Sequence, residues 1–76
     1  MKYYYYNVEA KTSFAEDAAD YINNSLSGAG TNGYFEDSTE AEKYSALSRV
    51  EEQVNSCDEY IKSQLKIVVE SYDTDE

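Results

Sequence analysis

Gly28, Gly30 and Gly33 in the stretch GAGTNG have the G-x-G-x-x-G spacing by which a glycine-rich turn holds a dinucleotide pyrophosphate. That chemistry needs a strand before the turn and a helix after it, so that the helix N-terminus meets the phosphates. Here a helical pattern precedes the glycines, and Glu36 and Asp37 just beyond them would repel phosphate. The segment therefore reads as a helix cap followed by a loop. Cys57 lies in an apolar stripe with no cationic neighbour one turn away, and a chain without histidine gives a thiol no base, so a buried structural cysteine is expected. Glu16–Asp17, Glu36–Asp37, Glu51–Glu52 and Asp58–Glu59 are paired carboxylates, but acid–base catalysis needs two such groups facing across a dry cleft. These pairs point to solvent. Asp73, Asp75 and Glu76 lack the spacing and turn glycine of a calcium loop, and there are no histidines or paired cysteines to ligate zinc. No enzymatic activity, cofactor or metal is expected. The Asn23-Asn24-Ser25 sequon falls inside a predicted helix and reads as accidental.

Charge carries more information. Sixteen acidic residues against six basic ones give a formal charge of −10 on 76 residues. Such a field repels nucleic acid and anionic lipid and attracts basic surfaces, so a basic protein is the natural partner, and direct nucleic-acid or membrane binding is disfavoured. The single cysteine cannot form an internal disulfide, no secretion signal opens the chain, and no apolar run approaches bilayer length. A cytoplasmic location is the expectation.

The elements that must position these groups follow from periodicity. Tyr4, Tyr6, Val8 and Ala10 alternate with Tyr3, Tyr5, Asn7 and Glu9, which predicts a strand over 2–11. Phe14, Ala18, Ile22 and Leu26, widened by Ala15 and Ala19, form the buried line of a helix over 14–27, with a Ser13/Glu16 capping box and Gly28 as its left-handed cap. A loop is expected over 28–37, in which Tyr34 and Phe35 either dock on the core or form a short extra strand near 33–36. Ala46, Leu47, Val50, Val54, Cys57 and Ile61 share one stripe of a long helix over 39–62. Thr39 and Glu42 cap its start, and Lys62 and Lys66 oppose the dipole at its end. A second strand follows over 65–72, then an acidic, frayed tail over 73–76. The order makes one α+β domain, a two-layer β-α-α-β arrangement: antiparallel terminal strands covered on one face by two antiparallel helices. Its outer sheet face would expose Tyr3, Tyr5, Val68 and Tyr72.

The candidate binding residues are Glu16, Asp17, Asp20, Glu36, Asp37, Glu40, Glu51, Glu52, Asp58 and Glu59. Glu40, Glu51 and Asp58 would follow one edge of the long helix, and Glu52 and Glu59 its outer line. Residues seven apart on a helix stand about 10 Å apart along its axis, wider than successive phosphates of one DNA strand, so imitating a backbone needs two interleaved rows. Two antiparallel helices would supply them, with Tyr44, Phe35 or another exposed aromatic as a desolvated anchor.

In size, acidity and absence of catalytic groups, the chain resembles the small phage-encoded inhibitors of bacterial defence, anti-CRISPR proteins and related DNA mimics in particular. The resemblance implies a protein that occupies the basic, DNA-binding surface of a CRISPR effector and excludes its target. The alternative is a small regulatory or structural homodimer joined through the tyrosine-rich sheet face.

Overall fold

The computed structural model describes residues 1–74. Strand β1 (Lys2–Ala10) is followed by a 3-10 turn (Ser13–Ala15), helix α1 (Glu16–Ala29), strand β2 (Gly33–Phe35), helix α2 (Glu40–Asn55), the one-turn helix α3 (Glu59–Lys62) and strand β3 (Leu65–Asp73). The fold is α+β. β1 is the central strand, flanked by β2 and β3, both antiparallel to it. The terminal strands pair as expected, and Tyr34–Phe35 belong to a third strand rather than to a loop docked on the core.

Strand alternation assigns the two faces. Tyr6 and Val8 of β1, with Leu65 of β3, meet Ala15, Ala19, Ile22 and Leu26 of the first helical segment and Ala46, Val50 and Val54 of α2 in one core. Val8 and Val50 are its largest fully enclosed side chains. Tyr3, Tyr5, Asn7 and Glu9 point outward, level with Tyr72, Glu70, Val68 and Lys66 of β3.

β2 pairs with only Tyr3, Tyr4 and Tyr5, which would leave most of one edge of β1 without partners. The even-numbered residues of β1 turn their backbone groups to that edge, and other groups satisfy them in succession. The Lys2 N–H donates to a Glu36 carboxylate oxygen (2.8 Å), and the Lys2 carbonyl accepts from the Glu36 N–H (2.9 Å). The Tyr6 N–H donates to the Asn32 carbonyl (2.8 Å), while Asn32 Nδ2 donates to the Tyr6 carbonyl (3.1 Å). The Val8 N–H donates to Asn23 Oδ1 (2.8 Å), and Asn23 Nδ2 donates back to the Val8 carbonyl (2.9 Å). A side-chain amide has the donor and acceptor of a peptide unit, so Asn23 on α1 acts as one more residue of the missing strand. The same bonds bind α1 to the sheet.

Several expectations are corrected. Phe14 is not in the core: the first turn is 3-10 wound, Ala15 takes the buried position, and Phe14 stacks on Tyr60 of α3 with ring centres 5.1 Å apart. Ala18 is only half-buried. Ser13 makes no cap to Glu16, and α1 starts without a side-chain cap. It ends at Gly30 rather than Gly28: Gly30 has φ +66°, its N–H bonds the Ser27 carbonyl, and the Thr31 N–H bonds the Leu26 carbonyl, a Schellman motif. The later cap keeps Leu26 inside the core.

The helix expected over 39–62 breaks after Asn55. Ser56 Oγ donates to the Gln53 carbonyl (2.7 Å), and the Asp58 carboxylate accepts from the Ile61 N–H (3.0 Å) and so caps a separate α3. These short polar side chains compete for the backbone groups a continuing helix would use. Lys62 therefore closes α3, and α2 has no basic residue in its last turn. Lys66 lies in β3 and pairs with Glu9 across the strands (3.6 Å). Asp73 and Thr74 are not a frayed tail, because Asp73 is in β3 and both the N–H and the hydroxyl of Thr74 bond the Met1 carbonyl. The rest of the expected tail, 75–76, lies outside the described residues.

The Thr39/Glu42 capping box forms as predicted, with bonds of 2.8 and 3.2 Å. The bond from the Thr39 backbone N–H, and secondarily that to its hydroxyl, holds the Glu42 carboxyl below the ordinary glutamate value. A depressed folded pKa means that this contribution is complete above the unfolded value of 4.5 and is lost as pH falls through the lower folded value. The protection of the Thr39 amide, taken relative to its intrinsic exchange rate at each pH, should therefore fall on acidification through that range. In Glu42→Gln, that protection should be lower from the start and lose this acid-dependent step.

Candidate functional site

All ten predicted acids are exposed. Three are held by interactions of the fold. Glu36 receives the Lys2 N–H, Asp58 caps α3, and Glu40 pairs with Lys43 at 3.6 Å. Glu16, Asp17, Asp20, Asp37, Glu51, Glu52 and Glu59 make no ion pair or side-chain hydrogen bond among the described residues.

Their distribution differs from two interleaved rows. Glu16 and Asp20 line a groove with Asn7, Val8, Glu9 and Asn23, on the flank of α1 that lies along β1. Glu52 lines a different groove with Arg49, Gln53, Ser25 and Thr31, where α2 passes the end of α1. Glu40 stands at a third opening with Lys43, Tyr44, Tyr6 and Tyr34. Glu51 lies about 100° from Glu52 around α2, since adjacent helical residues are offset by that angle, and its charge reaches the Tyr6 phenol. Asp58 and Glu59 no longer extend the α2 rows, because the chain breaks before them. The acids thus occupy several flanks of the helical layer rather than two rows on one face. Such an arrangement produces a broad negative potential rather than a replica of a nucleic-acid backbone.

Cys57 is half-buried just beyond α2, its Sγ 3.8 Å from the Gln53 carbonyl. Among the described residues, no group of three or more cysteine, aspartate or glutamate side chains is placed to hold a metal ion, and no helix is long and apolar enough to cross a membrane. Gly30 serves the α1 cap. Gly33 serves close packing, since a Cβ there would run into the Tyr3 phenol and the Tyr4 carbonyl.

The outer sheet face is more concentrated than the alternation alone implies. Tyr3 is the hub: its ring centre is 5.0 Å from Phe35, 5.6 Å from Tyr72 and 6.5 Å from Tyr5, and Tyr5 lies 6.0 Å from Tyr72. Phe35 joins the cluster because β2 aligns it with Tyr3, a contact that depended on the third strand forming. Tyr72 and Phe35 are exposed, and Val68 is half-buried. Burial, and to a lesser degree the adjacent Tyr72 phenol, push the Tyr3 phenol up from its usual value. Burial and then Tyr34 do the same to Tyr6 on the inner face. Both hydroxyls stay protonated through the neutral range and remain hydrogen-bond donors.

Comparison with known proteins finds no matching family, no similar curated protein and no similar solved structure.

Proposed function

We propose that the protein is a non-enzymatic inhibitor that binds the basic, nucleic-acid-binding surface of another protein and keeps nucleic acid away from it. The observation that carries this reading is the number of exposed carboxylates without intramolecular partners, on a chain of net charge −10. Long-range attraction would steer the encounter and make association fast and salt-sensitive. The most specific form of the reading, drawn from the resemblance in size and acidity, is an anti-CRISPR protein that acts in the host cytoplasm and stops a CRISPR effector from binding target DNA. Because the acids occupy several flanks, the partner's basic surface would respond to the overall field, with no requirement that carboxylates coincide with phosphate positions.

Immobilised protein should retain basic nucleic-acid-binding proteins from an extract of the host, and duplex DNA added in solution should release them. Retention that free DNA leaves unchanged, or a retained set with no basic surface, would contradict the proposal.

A further inference from the structure

Four outward-facing residues stand two by two on β1 and β3: Tyr3 opposite Tyr72, and Tyr5 opposite Glu70. The three rings lie within 5.6–6.5 Å of one another, so Glu70 is an exposed carboxylate at the margin of an aromatic floor. Phe35 extends the floor on the β2 side, and an open groove continues from the three tyrosines to Ser27, Gly30 and Asn32. Lys66, two residues from Val68 on the same face, pairs with Glu9, and Lys43 lies over Tyr34 on the opposite face.

We infer that this face is the docking surface for an arginine side chain presented by the basic partner, with Tyr3, Tyr5 and Tyr72 stacking on the guanidinium and Glu70 pairing with it. The inference deepens the proposed function and rests on its basic partner. It places the short-range contact on the outer sheet face, beside acids that the sequence places on the helices and the loop between them. Electron-rich ring faces attract a cation, and the planar guanidinium both stacks on rings and presents parallel N–H groups to a carboxylate, which a lysine ammonium does not. Charge complementarity also decides against a second copy as the occupant. Two identical faces would bring Glu70 against the same electron-rich patch, with −10 on each chain.

The test uses the full chain, isotope-labelled, titrated at low salt with a short three-arginine peptide and with its three-lysine counterpart of equal charge. Resonance shifts should centre on Tyr3, Tyr5, Glu70 and Tyr72, with the arginine peptide binding at least about fivefold more tightly than the lysine peptide. Glu70→Gln should weaken the arginine peptide about tenfold, whereas Glu42→Gln in the capping box at the start of α2, which removes the same charge, should leave it nearly unchanged. Three outcomes would overturn the inference. Shifts confined to the helices, without arginine preference and unaltered by Glu70→Gln, would refute the docking face and leave the basic-partner reading intact. Absence of binding by either peptide would count against both. Sedimentation showing a concentration-dependent dimer that Tyr72→Ser dissolves would assign the face to self-association.

Discussion

Replacing Gly33 with valine is expected to remove about 3 kcal/mol of stability, the upper end of what overpacking a close-fitted site produces. A Cβ at Gly33 meets the Tyr3 phenol on one side and the Tyr4 carbonyl on the other. The ring can swing away only by leaving Phe35 and Tyr72, and the carbonyl can move only by distorting the central strand. In a 76-residue domain the total stability is on the order of 5 kcal/mol, so most of it would be lost. Urea denaturation should show the midpoint falling sharply, with β2 amides the first to lose exchange protection. Gly28→Ala is the control. Its Cβ meets nothing within 4 Å, and alanine suits a helix interior, so stability should hold or rise slightly.

Asn23→Leu, close to isosteric, is the second large effect. Leucine fills the same space and provides neither the acceptor for the Val8 N–H nor the donor for the Val8 carbonyl. Two partly buried backbone groups lose their partners at once, which costs about 2–4 kcal/mol. Asn24→Leu, one residue along on the exposed side of α1, should change stability by less than about 0.5 kcal/mol. The contrast would establish Asn23 as a substitute for strand pairing. Equal effects from the two substitutions would reduce it to an ordinary helix residue.

The same residue marks where the sequence stopped being legible. Period-two alternation in β1, the pairing of β1 with β3, the Ala19, Ile22 and Leu26 part of the first stripe, the Ala46, Val50 and Val54 part of the second, and the Thr39/Glu42 box all follow from local spacing, and each has its expected place in the fold. Asn23 does not follow from spacing, because its role comes from β2 being shorter than β1, a property of the assembled sheet. Within α1 it resembles any polar residue beside a buried line. The break at Asn55–Asp58 was readable in principle: Asn55, Ser56 and Asp58 all compete for helix backbone, and Asp58 stands three residues before the N–H it caps. An aspartate at that position suits a solvent-facing charge equally well, so its capping role is not distinctive in the sequence. Phe14 was misplaced because a 3-10 turn advances side chains by 120° rather than 100°, which no apolar pattern reports.

The candidate site was legible as chemistry and not as geometry. The surplus of acid residues is plain from the sequence, but their arrangement depended on a continuous second helix, and its break disperses them. Conversely, the aromatic cluster was foreseen at Tyr3, Tyr5 and Tyr72 but lacked Phe35. That residue enters only because Gly33, with no side chain, lets β2 lie against the Tyr3 ring.

Competition is the most direct test of the central claim that exposed negative charge displaces nucleic acid from a basic partner. A purified CRISPR effector retained by the protein should be titrated with it in the presence of labelled target DNA, from low to physiological salt. The wild-type chain should displace the DNA with an apparent affinity that falls as salt rises. Reversing Glu16, Asp20, Glu51 and Glu52 to lysine should weaken displacement by at least about a hundredfold, provided circular dichroism shows the fold retained. Displacement that persists unchanged in that folded variant, with no dependence on salt, would contradict the claim.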